Sequence, residues 1–460
     1  MRVAYASPLP PSGSGIADYS AELLPALAEA GFELTLFFDG RGAPGGELAR
    51  RFPVRSLSEL VRRRRDFDLL VYQLGNSAEH HAEILRLALE LPGVAVLHEF
   101  MLHHLVRAVT LGRGDGEAYV EEMRYCAGET GRRAARRLLD THYPVDAWRF
   151  PLFERLVDRS LGVLVHSEFA RARVLASRPA AAVDVVPFPV DTTSLRPPRE
   201  EARRAARSEL GIAPGAFVVA TFGLVTPHKR LEPALGAFAG LRRERPEARF
   251  WVCGEVSPYF DLEAALDAGG RDGVTVTGRV DLERFHTVMR ACDLAVNLRH
   301  PTGGETSASL MRLLALGVPT VVTDAGSFAE LPDGAAARVA VGELEREHLL
   351  ALFSRFASDA GLRAAVGRAA RRWIEARHGL ATTAAAYAES LARCARLPAP
   401  AAPAPPLARW RESDPRVALV ASVGAAVVDL GLGAWEAELG AELAGELARL
   451  GWAPRGPDGA

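Results

Sequence analysis

The chain has 460 residues, 48% hydrophobic and 24% charged, with a formal net charge of −2. That length exceeds one ordinary domain and suits two with an appendage, and the balanced charge excludes an overall basic field for nucleic acid. Cys126, Cys253, Cys292 and Cys394 lie far apart without paired spacing, which indicates neither a zinc site nor a disulfide framework and fits a reducing cytoplasm.

From Met1 the chain runs straight into a strand-like segment, without the apolar core of a signal peptide. Strands are expected at Arg2–Ala6, Glu33–Phe38, Leu69–Leu74, Val94–Leu97, Leu161–Val165 and Val183–Phe188. Between them fall helices such as Ala17–Ala30, Glu79–Glu90 and Glu168–Ala176. The strands are rich in Val and Leu on both faces, as buried parallel strands are, and the alternation predicts a doubly wound α/β sheet. Residues 103–160 break it and read as a helical insertion.

The pattern restarts near residue 216, after a linker at Asp191–Pro198 and the charged stretch Arg199–Arg207. Strands are expected at Phe217–Phe222, Arg249–Cys253, Val274–Thr277, Leu294–Leu298, Thr320–Thr323 and Ala337–Val341. Helices are expected at Glu232–Arg243, Leu282–Ala291, Ala308–Leu316 and Glu345–Ser358. The domains are therefore a first Rossmann-like unit over 1–195, a second over 196–380, and a helix over 381–396 returning to the first. Residues 397–460 form a Pro/Ala linker and a tail whose role the sequence does not indicate; helices are expected within 415–453. The longest apolar run, Val417 to Val428, is shorter than a membrane span of about 20 residues.

Four loops at strand ends carry polar chemistry. Gly13, Ser14 and Gly15 follow the first strand and open a helix, where glycines allow a tight turn and a close ligand. A dinucleotide fingerprint would have glycine at position 18, but Asp18 stands there, which disfavours a nicotinamide or flavin site. At the corresponding place in the second unit stands Lys229, the single lysine among 55 basic residues, followed by Arg230. A compact ammonium beside a helix start suits phosphate oxygens, and its persistence in an arginine-saturated chain points to a site that needs it. The run Gly303-Gly304-Glu305-Thr306-Ser307 follows another strand. Two glycines free the backbone there, and Thr306 and Ser307 begin a helix whose first amides are unpaired donors for a diphosphate. Glu305 would accept hydrogen bonds from sugar hydroxyls. The fourth loop holds His98, after a buried strand, with Asn76 and His80 beyond the neighbouring one, all at the carboxyl edge where such sheets bind ligands. The motif Asp66-Phe67-Asp68 resembles a metal-binding DxD but precedes its strand, so it belongs at the opposite edge. No metal site is indicated.

Together, Pro11–Ser20, Gly223–Lys229, Gly278–Asn297 and Gly304–Pro319 resemble the GT-B glycosyltransferases of family 4, the glycosyl transferases group 1 type, over roughly residues 1–395, with a bacterial subgroup whose donor loop reads GETS. The resemblance implies a GT-B fold: two Rossmann-like domains facing a central cleft, with Lys229 on the donor diphosphate, Ser12–Gly15 closing over the donor, and His98 near the reacting sugar. It implies transfer from a nucleoside-diphosphate sugar to an acceptor hydroxyl, without a metal or cofactor and with retention. Partners would be the nucleotide sugar and a glycan or lipid-linked acceptor, at a cytoplasmic site extending to the inner membrane face. Departures stand out. The family's paired glutamates fall, counting back from Gly317, at Gly304 and Arg312, with Glu305 one place later. The second normally holds the ribose, so Arg312 leaves the nucleotide open. The family's arginine after Gly223 is Leu224, leaving Arg230 or another arginine to replace it. A non-catalytic nucleotide-sugar-binding subunit and a GT-B epimerase are the alternatives. The basic runs Arg62–Arg65 and Arg132–Arg137 read as solvated faces, with a lipid-linked acceptor at a membrane surface as the alternative.

Overall fold

A computed structural model describes residues 1–39 and 46–400. The expected tail beyond residue 400 lies outside the described residues. The first sheet contains β1 (Arg2–Ala6), β2 (Glu33–Phe37), β3 (Val54–Arg55), β4 (Leu69–Leu74), β5 (Val94–Leu97), β6 (Gly162–Val165) and β7 (Val183–Val185). The second contains β8 (Val218–Phe222), β9 (Arg249–Cys253), β10 (Val274–Gly278), β11 (Leu294–Asn297), β12 (Thr320–Thr323) and β13 (Ala337–Val339). Helices of the first half are α1 (Gly15–Glu29), α2 (Gly46–Arg51), α3 (Leu60–Arg63), α4 (Ala78–Glu90), α5 (His103–Val109), α6 (Gly116–Thr141), α7 (Glu154–Arg159) and α8 (Glu168–Ser177). Those of the second are α9 (Glu200–Glu209), α10 (Leu231–Glu244), α11 (Leu262–Gly269), α12 (Leu282–Ala291), α13 (Ala308–Ala315), α14 (Glu345–Ser358), α15 (Ala360–Arg377) and α16 (Leu380–Cys394).

Both sheets are parallel, with orders β3-β2-β1-β4-β5-β6-β7 and β10-β9-β8-β11-β12-β13. Each order reverses beside its first strand, the switch point where the loops after neighbouring strands diverge and leave a crevice. Helices cover both faces, so central strands such as β4 and β5 are buried at every residue, whereas the edge strand β10 is only half-buried.

Every expected strand is present, some with the expected ends, such as Arg2–Ala6 and Leu69–Leu74, and others shifted by one to three residues. The largest change is at Val183–Phe188, which stops at Val185 because Pro187 has no N–H to give the ladder. β3, two residues long, had no readable periodicity. In the insertion, α6 is broken at Ala127 and at Gly128, whose φ is 58°. Tyr119, Met123, Phe150 and Leu152 give this insertion its own small core. Its basic run is partly offset by surface pairs, Arg132 and Arg133 with Glu129 and Arg136 with Glu117, while Arg137 lies over the Tyr143 ring. Among the described residues no helix is long and apolar enough to cross a membrane.

The chain passes between the sheets twice, at adjacent places: Val190 N–H donates to His378 O at 2.8 Å. α16 then packs on α1, where Tyr387 and Tyr19 share a hydroxyl hydrogen bond. Cys394 Sγ fills the space left by the missing side chain of Gly162 on β6.

Candidate functional site

A cavity of about 770 Å³ opens between the carboxyl edges of the two sheets. Each wall is made by loops that follow strands. Asp68, by contrast, accepts the Arg2 N–H at 2.8 Å and its guanidinium at 3.0 Å, at the amino ends of β1 and β4. The DxD-like motif is therefore a tie between strand starts, far from this edge.

From the first sheet, Gly13, Ser14, Gly15, Asp18 and Asn76 line the cavity. Ser14 caps α1 by accepting from Ile16 N–H at 3.2 Å. Gly13 presents bare backbone to the guanidinium of Arg279, which comes from the loop after β10. His80 does not line the cavity; its Nδ1 lies 3.3 Å from Ser12 Oγ and braces the glycine loop from behind.

From the second sheet comes Lys229. A single turn of 3-10 helix, Pro227–Lys229, brings it back over the end of β8, and its Nζ donates to Phe222 O at 2.7 Å. Gly223, with φ 86°, leaves room: a Cβ there would lie 3.0 Å from Nζ. Burial pushes the ammonium pKa well below its usual range, Arg299 adds to the depression, and Glu305 opposes it. A cation so poorly paired gains most from an arriving anion.

The donor loop is held by its own carboxylate. Glu305 Oε2 accepts from Thr302 Oγ1 at 2.9 Å and Gly303 N–H at 2.8 Å, while Oε1 faces Arg299 Nε at 3.4 Å. Arg299 follows β11, lines the cavity and is only 9% exposed. Ser307 caps α13, its Oγ accepting from Leu310 N–H at 3.4 Å and from Asn297 Nδ2 at 3.1 Å. The first turn of α13 therefore meets the cavity at Ser307, Ala308 and Ser309, where a helix has amides without intrahelical partners.

Five expected site residues are placed differently. Arg230 takes φ 53° at the start of α10, which turns its guanidinium onto the buried Glu345 at 2.8 Å rather than into the cavity. Thr306 lies on the far side of the loop, in a second cavity beside Ser327 and Trp373, because the capping residue is Ser307. Gly304, with φ 78°, packs against the Phe100 ring and gives its N–H to Thr302 Oγ1 at 3.1 Å. His98 is not part of the lining: its Nε2 lies 2.8 Å from Gln73 Oε1 and its ring packs edge-on against Tyr19 at 4.5 Å. Burial holds that imidazole neutral. His80 is the fifth, as described above.

Arg312 does line the cavity, but it is paired with Glu22 of α1. Burial raises the Glu22 and Asp18 carboxyls and Arg312 draws both back down. Among the residues the sequence reading left without a role, Glu99, Arg299 and Arg279 line the cavity beside His104, Trp148 and His228. Glu99 and Arg299 each follow a buried strand, the same signal that had drawn attention to His98. Trp148 and His104 come from the insertion, where no sequence signal marks an approach to the cleft.

Residues 202–373 match the family model for glycosyl transferases group 1. The chain is 32% identical over 151 residues to D-inositol 3-phosphate glycosyltransferase of Segniliparus rotundus, covering 32% of each chain. It is 26% identical over 318 residues to a GDP-mannose-dependent alpha-(1-6)-phosphatidylinositol monomannoside mannosyltransferase of Mycobacterium tuberculosis, covering 65% of this chain and 80% of that one. It thus spans about a third of the first relative and most of the second. Among solved structures, Anabaena HepE in complex with UDP and glucose superposes with a TM-score of 0.61 at 16% identity, over 85% of this chain and 100% of that one. Sucrose-phosphate synthase from Thermosynechococcus elongatus gives 0.62 at 15%, over 85% and 98%. These two carry the fold alone. The chain has the GT-B architecture, and its second half resembles the glycosyl transferases group 1 family over residues 202–373.

Proposed function

We propose that this chain transfers a sugar from a nucleoside-diphosphate sugar to an acceptor hydroxyl, without a metal or cofactor and with retention of anomeric configuration. One observation carries the reading: Lys229, Arg299, Arg279 and the start of α13 line one cavity, with the carboxylate of Glu305 held between them and the first sheet. Breaking an anomeric bond develops positive charge on the sugar ring and negative charge on the departing phosphate. Fixed donors aimed at that phosphate are the main catalytic contribution expected. Lys229, Arg299 and the amides of Ala308 and Ser309 supply them in this reading. Three side-chain cations offset a diphosphate's charge, which is the support for a metal-independent reaction. Gly13, Ser14 and Gly15 would close over the donor, Glu305 would orient its hydroxyls, and Arg312 would stand beside the nucleoside. Closure of the two sheets would exclude water.

The acceptor is proposed to be a glycan or lipid-linked hydroxyl, met on the first-sheet side near Asn76 and Trp148, at the cytoplasmic face of a membrane. The test is a panel of nucleotide sugars, read by binding and by release of nucleoside diphosphate, with Lys229→Ala and Glu305→Ala. If both variants bind the best donor as well as the parent, the site assignment fails. The carboxyl pair Glu99 and Glu305 also suits an epimerase of the same fold. Sugar recovered on an acceptor supports transfer, and an isomerised sugar nucleotide supports the epimerase.

A further inference from the structure

The second cavity, of about 380 Å³, is walled by both halves of the chain: the start of α8 and the segment after β7 from the first, and α13, the turn Gly326–Glu330 and the end of α15 from the second. It meets the first cavity at one element, the donor loop. Ser307 lines both cavities, while Glu305 lines the first and Thr306 the second. Ser327, in the wall of the second, donates its hydroxyl to Glu305 O at 2.8 Å. The residue whose carboxylate stands in the donor site is thus held through its backbone by a wall of the other cavity.

The lining of the second cavity is built for hydrogen bonds without charge. Two of its side chains carry buried polar atoms with no hydrogen-bond partner among the described residues, Thr306 Oγ1 and His166 Nε2. Leaving such atoms unpaired is costly. His166 is only 9% exposed, and its Nδ1 lies 3.0 Å from Val186 O. With Nδ1–H given to that carbonyl, Nε2 is left as an acceptor. Burial lowers the His166 and His378 imidazoles to about 4, so both stand neutral at ordinary pH. The anion site that a helix start offers is already filled, since Glu330 accepts from the amides of Glu168, at 3.0 Å, and Phe169. An anionic ligand would meet the carboxylates of Glu168 and Glu330 against one arginine, Arg377. Trp373 adds an aromatic wall, its ring centroid 4.5 Å from that of His378.

We propose that this cavity is a second ligand site, for a neutral hydroxyl-bearing molecule the size of a sugar ring, and that its occupancy is coupled to the donor loop. A sugar ring has the required duality, an apolar C–H face for Trp373 and hydroxyls for Thr306, His166 and Ser167. Ser167 keeps its proton to donate, because its Oγ accepts from Ala170 N–H at 3.1 Å. A ligand hydroxyl on Thr306 fixes the residue between Glu305 and Ser307. It therefore biases both the carboxylate in the donor site and the cap of α13. By linkage, whatever change the sugar makes in nucleotide affinity, the nucleotide makes in sugar affinity. The coupling rests on the donor-site reading above; the binding does not.

The test measures binding of glucose, galactose and mannose to the full chain by saturation-transfer NMR, with glucose 6-phosphate as the charged control. The parent is compared with Thr306→Val and Trp373→Leu, and thermal unfolding checks that each variant is folded. At least one of the three sugars is expected to bind. Thr306→Val, close to threonine in shape, is expected to weaken it roughly threefold to tenfold, the loss of one hydrogen bond. Trp373→Leu is expected to weaken it roughly tenfold. Lys229→Ala, which alters the first cavity alone, is expected to leave it at the parent value. The site is overturned if none of the sugars binds, if either folded variant binds at parent strength, if Lys229→Ala abolishes binding, or if glucose 6-phosphate binds more tightly than glucose. UDP and GDP are then titrated with and without saturating sugar, and the affinity of the one that binds is expected to change by roughly fivefold or more. An unchanged affinity overturns the coupling. A chain that binds sugar but no nucleotide overturns the donor-site reading instead, with the second site intact.

Discussion

Arg312 on α13 and Glu22 on α1 meet across the cleft, an ion pair whose side chains are 10% and 24% exposed. It joins the two sheets at the rim of the cavity where the family resemblance implied a ribose-binding carboxylate. A carboxylate at position 312 would instead confront Glu22 and Asp18, so the arginine and the acids of α1 are mutually consistent. In a double-mutant cycle with Glu22→Ala and Arg312→Met, read by chemical denaturation, the pair is expected to show a coupling of about 1–2 kcal/mol. Arg312→Glu is expected to destabilise more than Arg312→Met. Additive single effects would mean the pair does not couple the sheets.

Lys229 is expected to bind donor with uptake of a proton. Burial depresses its pKa, whereas a diphosphate favours the charged form and raises it. Affinity should therefore fall as pH rises, and calorimetry in buffers of different ionisation enthalpy should detect the proton taken up. Lys229→Ala is expected to weaken donor binding by about 2–3 kcal/mol, roughly a hundredfold. Lys229→Arg is expected to restore it only in part, because Nζ sits as a compact point charge on Phe222 O beside Gly223, a contact a planar guanidinium does not reproduce.

Gly303→Ala is expected to destabilise the protein by about 1–3 kcal/mol. The new methyl would lie 2.9 Å from Met101 Cβ, too close without a shift, and would touch the carboxyls of Glu99 and Glu305. Thermal or urea unfolding measures the loss. A variant as stable as the parent would show that the loop shifts freely.

Glu330 ties the sheets at a second place, accepting from the amides of Glu168, at 3.0 Å, and Phe169 at the start of α8. Glu330→Ala removes a capping acceptor and is expected to cost about 1 kcal/mol. Hydrogen exchange at the first turn of α8 should rise with it. Unchanged exchange would mean that water replaces the carboxylate without penalty.

The sheets were legible because parallel strands covered on both faces need unbroken runs of Val and Leu, as in Leu69–Leu74 and Val94–Leu97. β3 was not, because two residues carry no period. In the cavity, the loops that follow strands were readable as a class: Lys229, Glu305 and Asn76 all line it. Direction within a loop was not. Lys229 and Arg230 are neighbours, yet a positive φ at the second sends its guanidinium to Glu345. The same limit applies to His98 and Glu99. Adjacent residues at a strand end point to opposite sides, and the sequence does not say which side the cavity occupies. His104 and Trp148 depend on how the insertion packs, which no local pattern encodes.

The two crossings between the sheets lie side by side, at Val190 and at His378–Gly379. Residues 191–378 therefore leave and rejoin the first half through one narrow stem. Seen this way, the nucleotide-facing half is a cassette. Another of the same outline could be grafted at that stem without re-routing the chain, and α16 would still clasp α1 to close the graft.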